Sequence, residues 1–435
     1  MLDLPFEIYF ETYGCTANYN STEIMKGIIK QSGLNITNNL DFADFIVINS
    51  CIVKGPTEER IRRRFSDLLK KGKKIILAGC MPRLYKDKLQ KENLYLIDTS
   101  HIKNIAKLIY DIQNNSYQQD KYLKSRNEVK VCLPKISKEK YIGITQISEG
   151  CLGNCTYCIT KLAKGELFSY PDEKILESIK NDLNTGCKEI WITSQDCAAY
   201  GNEEGNYLLP KLLKEIISLN KKFFLRIGMM NPDNMLKILP ELIEIYKNEK
   251  ILKFLHIPVQ SGSNNLLKEM NRKYSQEDIL KIVSQFREKF PNLHLATDII
   301  VGYPGETKED FIETFNLIKK IKPETLNISK FWSRPYTPAS KIKQNLSPDL
   351  IKKRVIKLAE LHKEICIREK EKYLNKEFRV LVNKKGLLNF PDTFLARDEN
   401  YRLFVVFSKK EILGKFINIK VKKITSHYLI SEVLV

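Results

Sequence analysis

The chain has 435 residues, with 72 Lys and Arg against 52 Asp and Glu, a formal net charge of +20 and a pI near 9.3. A hydrophobic fraction of 43% with 10% aromatics is enough for full globular cores, which excludes a wholly disordered chain. No apolar run approaches the roughly 18–20 residues of a membrane span, and the opening MLDLPFEIYFETYG has neither a basic nor an apolar leader segment, so a cytoplasmic location with no membrane partner is expected. In that compartment the 10 cysteines point to metal ligands, catalytic thiols or buried core thiols rather than disulfides. The positive excess favours a polyanionic partner.

The first ~115 residues alternate strand-like runs (EIYFETYG, DFIVINSC, KKIILAGC, NLYLIDTS) with amphipathic stretches that close near a glycine, a pattern of βαβ units around a parallel sheet. A polar stretch, NNSYQQDKYLKSRNEVK, then reads as a linker. The alternation resumes with YIGITQIS, KEIWITS, KFFLRIG, LKFLHIPV, LHLATDII and TLNISKF, six strand–helix units that suit a partial (β/α)6 barrel. After the charged helical segment PDLIKKRVIKLAELHKEICIREKEKYLN, the last ~60 residues form short alternating strands of a small all-β barrel. The expected fold is therefore α/β, with an N-terminal domain over 1–115, a linker over 116–136, a barrel over 137–370 and an all-β domain over 371–435.

Cys151, Cys155 and Cys158 lie in SEGCLGNCTYCITK, directly after the first barrel strand, with C-x3-C-x2-C spacing. Three thiolates would give a 4Fe-4S cube three protein ligands and leave its fourth iron open to an exchangeable ligand. CTYC alone could also be half a zinc site or a redox pair, but neither uses all three cysteines, and Cys132 and Cys187 stand at unsuitable spacings. Cys15, Cys51 and Cys80 each end a predicted strand of the first domain. The C-terminal edge of a parallel sheet gathers such positions into one ligand set, although buried cysteine also serves as a small hydrophobe.

The C-x3-C-x2-C loop, with an aromatic before its third cysteine, resembles the radical S-adenosylmethionine (SAM) superfamily. TYGCTANYNSTE, NSCIVKGPTE and LAGCMPR resemble the N-terminal domain of the methylthiotransferases. SEGCLGNCTYCITKLAKGELFSYP, EIWITSQDCAAYG, LRIGMMNP, FLHIPVQSGS, ATDIIVGYPGET and FWSRPYTPAS are similar to the archaeal and eukaryotic branch, which acts on tRNA bearing N6-threonylcarbamoyladenosine 37. The terminal barrel, with ARDENYRLFVVF, resembles a TRAM RNA-binding domain. The resemblance covers essentially the whole chain. It departs at Lys164, where an arginine is expected, and at Cys197 and Ala198, where small polar residues are more usual.

The resemblance implies addition of a methylthio group to C2 of the modified adenine by radical SAM chemistry with two 4Fe-4S clusters. Cys151, Cys155 and Cys158 would bind the SAM-cleaving cluster, and Cys15, Cys51 and Cys80 the auxiliary, sulfur-delivering one. Tyr157, Gln195, Asp196, Arg226, Gln260, Ser261 and Gly302 would line the SAM pocket. A guanidinium fork such as that of Arg226 suits a carboxylate, whether that of SAM or Asp298. Lys384, Lys385, Arg397, Tyr401 and Arg402 would contact RNA, with a basic run from Arg60 to Lys74 as a second patch. The partners implied are the modified tRNA, an electron donor such as a flavodoxin or ferredoxin, and a sulfur donor. The alternatives are a ribosomal-protein aspartate or isopentenyladenosine tRNA as substrate, or a non-catalytic Fe–S protein that binds RNA.

Overall fold

The computed structural model describes residues 5–53, 55–124, 127–386 and 390–434. The first domain runs β1 (Glu7–Thr12), α1 (Thr16–Gln31), β2 (Asn35–Ile36), β3 (Phe45–Ser50), α2 (Gly55–Lys70), β4 (Lys74–Gly79), α3 (Met81–Tyr85), β5 (Leu94–Asp98) and α4 (Ile105–Gln113). Its strands form one parallel sheet in the order β2-β1-β3-β4-β5. Every residue of β3 is buried, as a central parallel strand covered on both faces requires. Ile46 and Ile48 join Ile75 and Leu77 in one core, while Phe45 and Val47 join Ile76 and Ala78 in the other. The period-2 pattern thus feeds two layers of helix.

The segment expected as a linker is packed rather than loose. Residues 125 and 126 within it lie outside the described residues. Tyr122 is fully buried and donates to Asp111 Oδ2, Lys130 is buried against Glu149, and Val131 enters the barrel core. Further on, Pro134 abuts Gly27 of α1, and Ile136 N donates to Glu23 O. Leu123 is buried as well, and Tyr117 and Leu133 pack against the first domain's core, so a few anchors fix this polar strap.

The central strands are β6 (Ile142–Gln146), β7 (Ser148–Glu149), β8 (Phe168–Ser169), β9 (Glu189–Thr193), β10 (Phe224–Arg226), β11 (Phe254–Gln260), β12 (His294–Val301) and β13 (Thr325–Lys330). Six are parallel, in two runs, β10-β9-β6 and β11-β12-β13, while β7 and β8 form a small antiparallel pair. One isolated bridge, Leu225 to Ile251, links the two runs. The barrel is therefore two half-sheets rather than one continuous wall.

The long helix Pro348–Glu371 leads to β14 (Glu377–Lys385), β15 (Thr393–Arg397), β16 (Leu403–Phe407), β17 (Phe416–Ile424) and β18 (Leu429–Val433), which close as β14-β15-β16-β18-β17. This small barrel docks on the N-terminal ends of the central strands. Lys188 Nζ donates to Gly414 O at 2.6 Å, Asn383 Nδ2 to Glu189 Oε2 at 2.6 Å, and Lys253 N to Glu399 O at 2.8 Å. Phe224 meets Phe416 edge-on at 5.7 Å.

The first domain docks at the opposite end and along β6. Asn20 Nδ2 donates to Ile144 O at 2.8 Å. Gly55 lies so close to Trp332 that a Cβ there would fall 2.2 Å from its ring. Arg334 Nη1 reaches Glu58 Oε2 at 2.6 Å in a buried ion pair.

Candidate functional site

Strands β1, β3 and β4 are neighbours, so the residues that follow them converge. Cys15 caps α1, Cys51 follows β3, and Cys80 precedes α3. Asn18 Oδ1 lies 3.9 Å from Cys15 Sγ and 4.0 Å from Cys80 Sγ, so these sulfurs are within about 8 Å of each other. Gly14, at φ +109°, presses on Cys51; a Cβ would sit 2.7 Å from that residue's Cβ and 3.0 Å from its sulfur. Cys15 is exposed while Cys51 and Cys80 are buried. Burial pushes the Cys80 thiol up to about 12 and raises Cys51, and the Lys164 ammonium opposes both shifts.

The second trio sits in the loop after β7. Gly153 N donates to Cys151 Sγ at 3.3 Å, Thr160 N to Cys158 Sγ at 3.4 Å, and Arg272 Nη1 to Cys155 Sγ at 3.0 Å. A Cβ at Gly153 would lie 3.4 and 3.7 Å from the sulfurs of Cys151 and Cys155, which places both on one concave side of the loop. Bonds that strap the loop to the barrel rim include Thr156 N to Met270 O, Ala339 N to Thr156 O, Asn271 Nδ2 to Asn154 O and Thr156 Oγ1 to Glu269 O. N–H groups aimed at sulfur stabilise its negative charge, the usual means of tuning an iron–sulfur group.

Each trio supplies three thiols, the donor set that a cubane cluster with one open iron would need. Among the described residues no three His, Cys, Asp or Glu lie close enough to hold a single metal ion. Buried oxygens without hydrogen-bond partners collect at the ends of β6 and β9: Gln146 Oε1, Ser148 Oγ and Gln195 Oε1. Such atoms are the mark of a polar ligand site at the C-terminal mouth of a barrel.

Lys164 and Glu149 flank the second trio in the chain, and Lys164 lies within electrostatic reach of the first. Lys164 Nζ meets Glu149 Oε1 at 3.1 Å, and Lys130 meets the other carboxylate oxygen. Burial alone would raise Glu149, but the two ammonium groups outweigh it and hold the carboxyl down at about 2. Cys80 and Cys15 are among the groups whose charge acts on Lys164. The residue that departs from the expected arginine therefore lies within electrostatic reach of the auxiliary trio.

Of the other expected residues, Tyr157 is half-buried beside Leu266, Met270 and Tyr303, directly within the cysteine loop. Gln195, Asp196, Ser261 and Gly302 follow barrel strands and Gln260 ends one, all on the same rim. Asp196 is committed to the protein. It accepts from Ala198 N, Asn231 N, Asn231 Nδ2 and Asn234 Nδ2, and burial pushes it up to about 6. Ser261 Oγ is buried against Thr314 and Ser263 N. Gln260 ends the irregular part of β11 at φ +68°. Gly302 is required by packing, since a Cβ would lie 2.7 Å from Ile351.

Four expected residues are corrected. Arg226 does not face the cysteines; its guanidinium lies 5.0 Å from the Trp191 ring, 4.6 Å from Phe254 and 5.3 Å from Tyr401, toward the terminal barrel. Tyr401 is buried against Phe254 and Leu252 and has no free face for a base. Arg397 stacks on Tyr401 at 3.8 Å, and Arg402 pairs with Asp398 and covers Tyr373, so both serve the domain seam. Lys384 and Lys385 stay accessible, near Glu139 and Glu411. Sequence reasoning missed Arg272 and the Arg334–Glu58 clamp. Neither carries a local spacing signal, since each partner comes from a distant segment.

The family described as the radical SAM superfamily matches residues 145–318, the uncharacterized protein family UPF0004 matches 7–101, and the TRAM domain matches 371–434. A probable threonylcarbamoyladenosine tRNA methylthiotransferase of Pyrococcus horikoshii is 39% identical over 98% of this chain and 99% of its own length. The threonylcarbamoyladenosine tRNA methylthiotransferase of Danio rerio is 33% identical over 97% of this chain and 77% of its own. Among solved structures, the radical SAM methyltransferase TsrM of Kitasatospora setae superposes with a TM-score of 0.56 at 12% identity, covering 77% of each chain. That likeness concerns the fold alone. With near-complete coverage by these relatives, and two cysteine trios on the elements described above, the chain belongs to the threonylcarbamoyladenosine tRNA methylthiotransferase family.

Proposed function

We propose that the chain adds a methylthio group to C2 of N6-threonylcarbamoyladenosine 37 in tRNA, in the cytoplasm, using two 4Fe-4S clusters and SAM. The observation that carries the reading is the pair of three-thiol sets, one gathered at the ends of β1, β3 and β4 and one in the loop after β7, with Lys164 of the second segment within electrostatic reach of the first set. When bound, the cofactors supply reductive cleavage of SAM for hydrogen abstraction and a cluster-borne sulfur for transfer. The protein's part is to hold the two sites in register. Cys151, Cys155 and Cys158 would hold one cluster, with Arg272 and the Gly153 and Thr160 amides steadying its sulfurs. Cys15, Cys51 and Cys80 would hold the other on a rigid sheet. Gln195, with an unpartnered oxygen, is the rim group best suited to a SAM hydroxyl or amine. An electron donor such as a flavodoxin or ferredoxin, and a sulfur donor, are required as partners.

The test is iron and sulfide content after anaerobic reconstitution. About eight irons per chain are expected, falling to about four in either triple-alanine variant, Cys15/Cys51/Cys80 or Cys151/Cys155/Cys158. Methylthio transfer to threonylcarbamoyl-modified transcript should vanish in both. Four irons in the parent protein, or transfer only to isopentenyladenosine tRNA or a ribosomal protein, would overturn the reading.

A further inference from the structure

Outside the cysteine site, a cavity of about 300 Å³ opens at the seam between the central and terminal barrels. Its walls carry six Lys and Arg side chains against two Glu. Those acids are engaged: Glu369 pairs with Lys322 at 2.9 Å and Glu324 with Arg287 at 3.7 Å. Arg402 is taken by Asp398. Arg226, Arg397, Lys370 and Lys372 are left, among the described residues, with no carboxylate within ion-pair distance. Arg397 and Lys370 make do with the carbonyls of Tyr401 and Ser426.

Arg226 is the sharpest case. Three aromatic rings cage its guanidinium, Nε is buried without an acceptor, and among the described residues no hydrogen bond uses any of its N–H groups. Aromatic faces offset part of the charge, but they accept none of the five N–H donors that a planar guanidinium presents. His294, in the same wall, is held neutral first by burial and then by the converging charges of Arg397, Lys370, Arg402 and Arg226. A cavity with surplus positive charge and idle guanidinium donors has the chemistry of a phosphate site.

We propose that this seam cavity binds a phosphate group, with Arg226, Arg397 and Lys370 as its contacts. The phosphate can be carried on the backbone of bound RNA or arrive as free inorganic phosphate. In either case the terminal domain presents its Arg397–Arg402 loop to the ligand at the seam, not from its outer face.

The experiment titrates the full chain with inorganic phosphate by calorimetry, alongside Lys370→Gln, Arg397→Gln, Arg226→Gln and the control Lys409→Gln, an exposed residue outside the cavity wall. Saturable one-to-one binding is expected, weakened at least tenfold by each seam variant and unchanged by the control. Lys370→Gln stays interpretable if Arg226→Gln misfolds, because Lys370 lies in the wall of the cavity and outside the aromatic cage. A tRNA transcript then identifies the source. If RNA supplies the phosphate, orthophosphate competes with the transcript, and Lys370→Gln reduces the slope of log affinity against log salt by about 0.7–0.9. If free phosphate is the ligand, both bind together and the slope stays unchanged. Absence of saturable phosphate binding, or equal binding by Lys370→Gln and Arg397→Gln, overturns the proposal.

Discussion

The Arg334–Glu58 pair is the most exacting test of how the first domain is held over the barrel mouth. The two groups meet at 2.6 Å through Arg334 Nη1, with side-chain exposures of 3% and 12%, and Arg334 Nη2 has no hydrogen-bond partner among the described residues. At an effective dielectric of about 20, that separation corresponds to a gross attraction of about 6 kcal/mol. Desolvation cancels much of it, and Glu58 also holds Arg62 at 2.9 Å, so the net effect of truncation belongs at the low end for a broken buried pair. Glu58→Ala should cost about 3 kcal/mol, because it leaves a buried guanidinium unpaired. Hydrogen exchange measures this directly. Amides in the first turn of α2 and at Thr337, which bonds to Arg334 O, should exchange roughly a hundredfold faster. Adding Arg334→Met should recover at least ~1 kcal/mol of that loss, a coupling expected of direct partners. Unchanged exchange in Glu58→Ala, or strictly additive effects in the double variant, would refute the clamp.

Other expectations follow from single contacts. Gly14→Ala forces a side chain onto Cys51 at positive φ; reconstituted protein should lose about four irons while the Cys151 loop still loads, as iron content and electron paramagnetic resonance would record. Arg272→Met removes a charged N–H donor to Cys155, worth about 1.5–3 kcal/mol. The potential of that cluster should move negative by as much as about 100 mV in a spectroscopic redox titration, and a positive shift would disprove the contact's role. Burial raises Glu23 to about 7 from an unfolded value near 4.5. Below pH 4.5 both states hold the proton, and stability then falls by up to about 3 kcal/mol as pH rises to 7. Glu23→Gln should flatten that limb of the urea-midpoint profile.

Much of the architecture was legible because it is local. Alternating apolar runs gave the parallel sheet and the barrel strands; Cys51 and Cys80 directly follow strands, Cys15 comes three residues after one, and Cys151, Cys155 and Cys158 lie in the loop after β7. What escaped was set by docking. The spacing around Tyr401 and Arg402 suits an exposed loop equally well as a buried plug. Only contact with Phe254 and Tyr373 decides, and both lie far along the chain. Asp196 looked like a ligand because it follows a strand, yet two asparagines from the next loop consume its oxygens. Arg226 was assigned by the chemistry of its fork, which was sound; the end of the barrel it serves depends on side-chain direction and on the domain beneath. The polar linker hid Lys130, whose burial makes sense only opposite Glu149.

The terminal barrel grips Lys188 and Glu189 at β9, Phe224 at β10 and Lys253 and Phe254 at β11, and so spans the join between two half-sheets that share one isolated bridge. It acts as a hoop around the base of an open cask. Cutting it away would let the staves spread, and the cysteine rim at the other end would lose its alignment. Inactivity of a truncated chain would then report slackened geometry as readily as lost RNA affinity. Substitutions confined to the hoop's outer face are the means to separate the two.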